Sequence, residues 1–387
     1  MNIKNSPFEL SENDLKKLLK RGVEKGVFPG AAAGIFYRNG KQKKRIVAWY
    51  GNAALEPREK RLTKGGIFDL ASLTKPLATT LAILCLLQMR KVKLEEPLPS
   101  LLQKKVMGEK SRITLKQLLN HTSGLPAHRE YFKKLREIPF KERKERLETW
   151  ILAEQLESTP GTKKEYSDLG FMLLGRIVEI KSDETLDFFV DKKIMQPFGL
   201  EEKIFFRKTN DHKISEKGKN KRGTFVATEK CPWRKKVLCG EVHDDNCFVL
   251  GGISGHCGLF GDIESVLDIC VSILDIWQKR KAHPNINSKD LQVFLDWRDP
   301  EIKKTGVLGF DTPAAKESSS GRFLSRSSVG HLGFTGTSFW IDPEKELVVV
   351  LLSNRVHPNR ENEKIRKFRP FFHDAVIRKI FPPNKKF

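Results

Sequence analysis

The sequence predicts an α+β fold, with strands near both ends of the chain and helices between them. Three observations carry this expectation. Apolar runs at 30–37 and 45–51 flank Asn39-Gly40, a dipeptide suited to the tight turn of a hairpin. Strand-like runs return near 323–329, 333–341 and 347–354, with a turn from Asp342 to Lys345 before the last. The stretch between carries helical spacing. Taken in order, Ser11 caps a helix over 11–25, with Asp14 as an acid in its first turn. An apolar helix is expected over 72–91, with Pro76 in the first turn, where a missing N–H costs little. Thr114 and Gln117 form a capping box for 114–120. Residues 139–154 read as a charged amphipathic helix. Residues 203–236 are polar and lysine-rich and read as a rim or lid loop. Residues 263–279 are helical through Val266, Leu267, Cys270, Ile273, Leu274 and Trp277. A helix over 363–380 closes the chain.

Composition narrows the classes. At 387 residues the chain can bury a large core, as one composite unit or two lobes. A hydrophobic fraction of 39% is that of a soluble globular protein. The longest apolar run, near 76–88, is short for a bilayer span. The first residues show no apolar signal core, which places the chain in the cytoplasm; a start further upstream would make it periplasmic. Six cysteines (Cys85, Cys231, Cys239, Cys247, Cys257 and Cys270) show no C-x-x-C spacing and read as thiols. Cys231, Cys239 and Cys247 with His243 fit no usual zinc spacing, and neither metal nor cofactor is expected. The net charge of +23 is spread over lysine clusters mixed with glutamates, without interleaved aromatics. A solvated basic face is favoured over a polyanion site.

Chemistry concentrates in three places. The first is Phe68-Asp69-Leu70-Ala71-Ser72-Leu73-Thr74-Lys75. Residues three apart share a helix face, so the Lys75 amine lies beside the Ser72 hydroxyl. A helix N-terminus adds free N–H groups and partial positive charge at the same spot. By itself this pair also describes a capping serine followed by a surface lysine. The second is Glu165-Tyr166-Ser167-Asp168-Leu169-Gly170, a phenol and a carboxylate two residues apart at the entry to a helix over 171–180. A tyrosine beside an ammonium can serve as general base and acid; taken alone, the stretch also describes a packing tyrosine and an Asp168 N-cap. The third is Gly330-His331-Leu332-Gly333-Phe334-Thr335-Gly336-Thr337, whose glycines suggest close approach of another backbone or a ligand.

Together the three resemble the serine β-lactamase and penicillin-recognising family, in the form of its branch of class C β-lactamases, D-Ala-D-Ala carboxypeptidases and family VIII esterases. The stretches 113–126, 255–260 and 352–358 are similar to the same branch, so the resemblance runs from about Gly30 to the C-terminal region. It implies an antiparallel sheet built from both termini and flanked by helices, with a mainly helical lobe inserted. The sheet lobe would comprise 1–70 and 290–387, the helical lobe 71–289, with the catalytic cleft between them. It further implies that Ser72 forms an acyl-enzyme and that Lys75 and Tyr166 share the general-base role. The N–H groups of Ser72 and Phe334 would form the oxyanion hole. Asp168, His331, Gly333 and Thr335 would bind substrate. Pairing with Asp168 should raise the Lys75 pKa, which favours Tyr166 as proton acceptor.

Two positions depart from the family pattern. Asp168 stands where the branch has Asn, and His331 replaces the lysine of the third motif. A histidine is largely neutral near pH 7. Turnover of an ester or peptide-like amide is therefore expected, with weak β-lactam hydrolysis. A penicillin- or peptide-binding module or pseudoenzyme with little turnover is the alternative, and a polyanion-binding protein on a hydrolase scaffold a third class. Smaller candidates are Asn120-His121, read as a turn; Val242-His243-Asp244-Asp245-Asn246, a loop or a contact to substrate or metal; Gly251-Gly252-Ile253-Ser254-Gly255, read as tight backbone packing; and Arg355 and His357, read as ending the last strand.

Overall fold

Alternation along one strand shows how the core divides. In Leu347–Ser353, Leu347, Val349 and Leu351 join one apolar cluster, while Val348, Val350 and Leu352 join another. A strand apolar on both faces must be covered on both. On one side lie the helices Glu12–Glu24 and Ile365–Ile380, supplying Leu15, Leu19, Phe368, Phe372 and Val376. On the other side the helix Ile263–Trp277 brings Val266, Leu267 and Cys270. The computed structural model describes residues 10–40, 42–209, 224–296 and 307–382.

The sheet has six strands, in the order Lys60–Arg61, Gln42–Ala54, Gly30–Asn39, Leu347–Ser353, Ser338–Asp342 and Val329–Leu332. All neighbours are antiparallel. The two ends of the chain meet at its centre, where Ala33 faces Leu351 and Ile35 faces Val349. The fold is α+β, as the sequence predicts.

Most elements fall where their local signals place them. Ser11 and Asp14 close a reciprocal capping box, as do Thr114 and Gln117. Five readings change. The strand expected at 323–329 begins only at Val329, because the residues before it form bends, and the expected 333–341 strand is cut back to Ser338–Asp342 by the turn at 333–337. The 203–236 segment is not a simple loop: Ile204–Phe206, Ala227–Cys231 and Lys236–Cys239 are strands, and 210–223 lie outside the described residues. Ser167, rather than Asp168, caps the helix Asp168–Ser182, accepting from the Gly170 N–H. The helix expected over 72–91 is composite: a 3-10 turn at Ala71–Leu73, a wide π turn at Lys75–Thr80, then an α-helix at Leu81–Gln88. Pro76 has no N–H to offer this first stretch, and π turns concentrate at functional sites. By length and composition Ala71–Gln88 could cross a membrane, but in this fold 89% of it is buried inside the protein.

Around this helix the remaining helices gather. Asp168–Ser182 packs against it, and a glycine contact lets the 254–258 loop approach. A Cβ on Gly255 would lie 2.1 Å from the Phe171 carbonyl oxygen and 2.7 Å from the Gly175 nitrogen. Only a residue without a side chain fits that crossing. Phe68–Asp69 pairs with Leu259–Gly261, which pairs in turn with Ile204–Phe206. This short sheet anchors the chain immediately before Ser72.

Candidate active site

Ala71 holds φ at 48°, a left-handed conformation that a residue with a side chain adopts only when its surroundings require it. Asp69 supplies the requirement. Its Oδ1 accepts from the Ala71 N–H at 2.8 Å and its Oδ2 from the His243 N–H at 2.7 Å. The sharp turn delivers Ser72 to the wall of a cavity of about 720 Å³, which Tyr166, Asp168, Asp244, His331 and Phe334 also line.

Two donors converge on the serine. The Tyr166 hydroxyl lies 2.9 Å from Ser72 Oγ and the Lys75 ammonium 3.2 Å. Lys75 is fully buried, and its Nζ also donates to Asp168 Oδ1 at 2.7 Å and to the His256 carbonyl at 3.1 Å. Three N–H groups thus meet three acceptors. Asp168 Oδ2 pairs with His128 Nδ1 at 3.2 Å.

Burial pulls the Lys75 amine toward neutrality, but the charge and hydrogen bond of the Asp168 carboxylate, together with Tyr166 and Cys257, outweigh it and hold the amine above its ordinary range. Burial likewise opposes the charge on Asp168, yet Lys75 and the bond from His128 keep its carboxyl well below the usual carboxylate range. Burial raises the Tyr166 phenol and Asp168 raises it further, against the opposing pull of Lys75. The residue is 40% exposed, with its hydroxyl held on Ser72 Oγ. At neutral pH the resting set is therefore ammonium, carboxylate and phenol. Asp168 pushes both proton carriers the same way, so its charge does not by itself hand the base role to Tyr166.

His121 steadies the tyrosine. Its Nδ1 accepts from the Ser167 N–H at 3.1 Å, and its ring lies 4.9 Å from that of Tyr166. Burial holds its pKa well below the usual imidazole value, so it packs as a neutral ring. The turn reading of Asn120-His121 holds for the backbone and misses this support.

A family model, Beta-lactamase, matches residues 15–370. The chain belongs to the beta-lactamase family. It is a hydrolase of the serine β-lactamase-related type. It is 29% identical over 373 residues to an N-acetylmuramyl-L-alanine amidase of Bacillus subtilis (strain 168), covering 90% of this chain and 82% of the relative. A putative D-alanyl-D-alanine carboxypeptidase of Escherichia coli (strain K12) is 28% identical over 331 residues, covering 80% and 73%. Among solved structures, EstCE1, a hydrolase with promiscuous acyltransferase activity, superposes with a TM-score of 0.69 at 18% identity, over 94% of this chain and 97% of that one.

Within this beta-lactamase-family site, Ser72, Lys75, Tyr166 and Asp168 are brought together, and His331 and Phe334 join them at the cavity. Phe334 is 49% exposed and its ring stacks on His243 at 5.5 Å. Thr335 does not face substrate: it is 1% exposed and donates its hydroxyl to the Asp69 carbonyl at 2.8 Å. Gly333 serves packing as well as lining the cavity, since a Cβ there would lie 2.0 Å from Thr337 Oγ1. Arg355 does more than end the last strand, for its Nε donates to the Phe334 carbonyl at 2.8 Å and holds the 333–337 turn. Cys231, Cys239, Cys247 and His243 do not assemble as ligands among the described residues. Asp244, His256 and Cys257 each bring a donor atom within 4.8 Å of the others. There the Asp–His pair is closed by a direct bond, and burial holds Cys257 as a thiol.

Sequence reasoning did not single out Asp69, His128 or His256 as site residues, and it offered Asp244 only within a stretch read as a loop or a contact to substrate or metal. Asp69 and His256 lay inside quoted motifs, and Asp244 in the Val242–Asn246 loop. His128 had no signal at all, because only the fold carries the 126–131 loop over Asp168.

Proposed function

We propose that the protein is an acyl-transferring hydrolase whose nucleophile is Ser72 and whose substrates are esters or peptide-like amides. The observation that carries this reading is the convergence of Tyr166 and Lys75 on one serine oxygen at the wall of a substrate-sized cavity. Ser72 Oγ adds to the carbonyl carbon while its proton passes to the Lys75–Tyr166 pair. The tetrahedral intermediate collapses as the pair returns that proton to the leaving group, which leaves an acyl ester on Oγ. Water then adds, gives its proton to the same pair, and the ester bond breaks as Oγ is reprotonated. The backbone N–H groups of Ser72 and Phe334 are the donors assigned to the oxyanion. The names of the amidase and carboxypeptidase relatives describe amide-bond cleavage, which agrees with this class. His331, neutral through burial and its proximity to Lys75, lacks the cation with which a lysine would hold a β-lactam carboxylate.

The test is intact-protein mass after mixing with a fluorophosphonate and, separately, with a penicillin, using Ser72→Ala as control. A Ser72-dependent phosphonate adduct with no lasting penicillin adduct is expected. A persistent penicillin adduct would point to a penicillin-binding protein. Absence of any adduct on folded protein would overturn the nucleophile assignment.

Proton balance makes a second prediction. The pair must lose one proton before it can accept one from Ser72, so kcat/KM should rise with pH on its acid side. The Asp168 charge raises both Lys75 and Tyr166. Asp168→Asn removes that charge, lowers both pKa values, and should move the acid limb down by about one pH unit or more, a gain of about tenfold at pH 7. A pH–rate profile of both proteins on one ester checks this; an unmoved limb would exclude the pair as the titrating base.

A further inference from the structure

Most of the polar groups around this cavity are already spoken for; Arg369 Nε is a buried donor without a partner, and beside the nucleophile the groups left open are acceptors. His331 Nδ1 lies 2.8 Å from the Leu332 carbonyl oxygen. A carbonyl only accepts, so Nδ1 carries the hydrogen and Nε2 is a bare lone pair. That nitrogen is buried without a hydrogen-bond partner, on a residue 2% exposed that lines the cavity, with its ring 6.1 Å from that of Tyr166. A buried acceptor left unmade in a native site calls for a donor.

Asp244 is the second open acceptor. Its Oδ1 caps the short helix Asp245–Val249 by accepting from the Cys247 N–H at 2.7 Å, and the same oxygen takes His256 Nε2 at 2.9 Å. Both bonds fall on Oδ1, which leaves Oδ2 to the cavity that Asp244 lines. The residue is also held in register with the nucleophile. The N–H of its neighbour His243 is bound by Asp69, the carboxylate that shapes the turn before Ser72.

The cations near the cavity are engaged by neighbouring groups, Arg366 by the Glu363 carboxylate among them. Arg355 donates to the carbonyls of Phe334, Arg360 and Asn362, and Arg369 to those of Gly333 and Thr337. Arg360 is paired with Glu229 and Lys75 with Asp168. His128 is engaged through Nδ1 with Asp168. Beside Ser72, a substrate carboxylate would face the His331 lone pair and the negative charges of Asp168 and Asp244. A protonated amine, with three N–H donors and a positive charge, matches both open groups.

We infer that this site selects acyl donors bearing a protonated amine near the scissile carbonyl, held by the Asp244 carboxylate and His331 Nε2. The inference rests on the acyl-transfer reading above and names its substrate class. Asp244 and His331 are the specificity residues, and His256 positions Asp244.

The experiment compares alanine methyl esters of both configurations carrying a free amine, an N-acetyl or an N-succinyl group. It follows methanol release by protein whose Ser72 has been shown to label with a fluorophosphonate. The free-amine ester of at least one configuration should exceed its N-acetyl partner by about tenfold or more in kcat/KM, and the N-succinyl ester by more again. In Asp244→Asn the preference should fall to within about threefold, chiefly through KM. In His331→Lys it should swing toward the N-succinyl ester. Equal rates for free and acetylated esters, or no turnover of any ester, on protein that labels at Ser72 would overturn the inference and leave the nucleophile assignment standing. Failure of Ser72 to label would overturn both.

Discussion

Replacing Lys75 by alanine should lower kcat/KM about 1,000-fold and lower the melting temperature as well. The kinetic loss follows from geometry. The Lys75 amine is one of two proton carriers touching Ser72 Oγ, and a positioned acid–base group contributes about 100- to 10,000-fold. The stability loss follows from burial. Lys75 is fully enclosed, and removing it leaves the largely buried Asp168 carboxylate without its main counter-charge. Breaking a buried ion pair from one side costs about 3–5 kcal/mol, and His128, still paired with the other carboxylate oxygen, should hold the cost to the lower end. Thermal unfolding followed alongside ester turnover checks both parts. Near-parent turnover in a folded Lys75→Ala protein would exclude the lysine from the proton path, and an unchanged melting temperature would deny that the pair is dry.

Tyr166→Phe should separate chemistry from packing. Only a hydroxyl is lost. The ring contact with His121 and the Lys75–Asp168 pair remain, so the melting temperature should move little. Turnover should nevertheless fall about 100- to 1,000-fold, because the remaining donor on Ser72 is an ammonium held above its ordinary range and is a poor proton acceptor. The loss should appear in kcat more than in KM. Near-normal rates would leave Lys75 as the working base and reduce Tyr166 to a wall of the cavity.

These two variants probe residues 91 positions apart in the chain (166 − 75), and that separation marks the line between what was legible in the sequence and what was not. Within each motif, local rules sufficed. Ser72 and Lys75 share one turn of helix because they are three residues apart. Ser11 with Asp14, and Thr114 with Gln117, announce their helices by reciprocal caps that involve no other part of the chain. The strand Leu347–Ser353 is apolar at every position up to Leu352, which already requires cover on both faces. The strand limits at 329 and 338 were harder to read, since bends and the 333–337 turn interrupt a pattern that looks continuous.

The partners of the catalytic groups were another matter. Asp168 could be matched to Lys75 through its place in a motif, but nothing in the chain's order announces that His128 would close on its second oxygen. Nor does it announce that Asp69 would clamp both Ala71 and His243. Thr335 shows the converse error. Its position suggested a substrate contact, yet the fold turns its hydroxyl to the Asp69 carbonyl. The lysine-rich composition near 203–236 concealed three short strands, because pairing there depends on residues elsewhere.

By itself, then, the sequence determined the α+β class, the ordered motifs that mark the beta-lactamase family, and which side chains are able to exchange protons. Those follow from residue type and near-neighbour spacing. Only the tertiary structure decided which acceptors each donor meets, which cations are held by carbonyls, and which lone pairs are left without a donor. Hydrogen bonds and charge pairs are made over about 3 Å in space, and a chain folded on itself brings together groups whose separation along it carries no record of that distance.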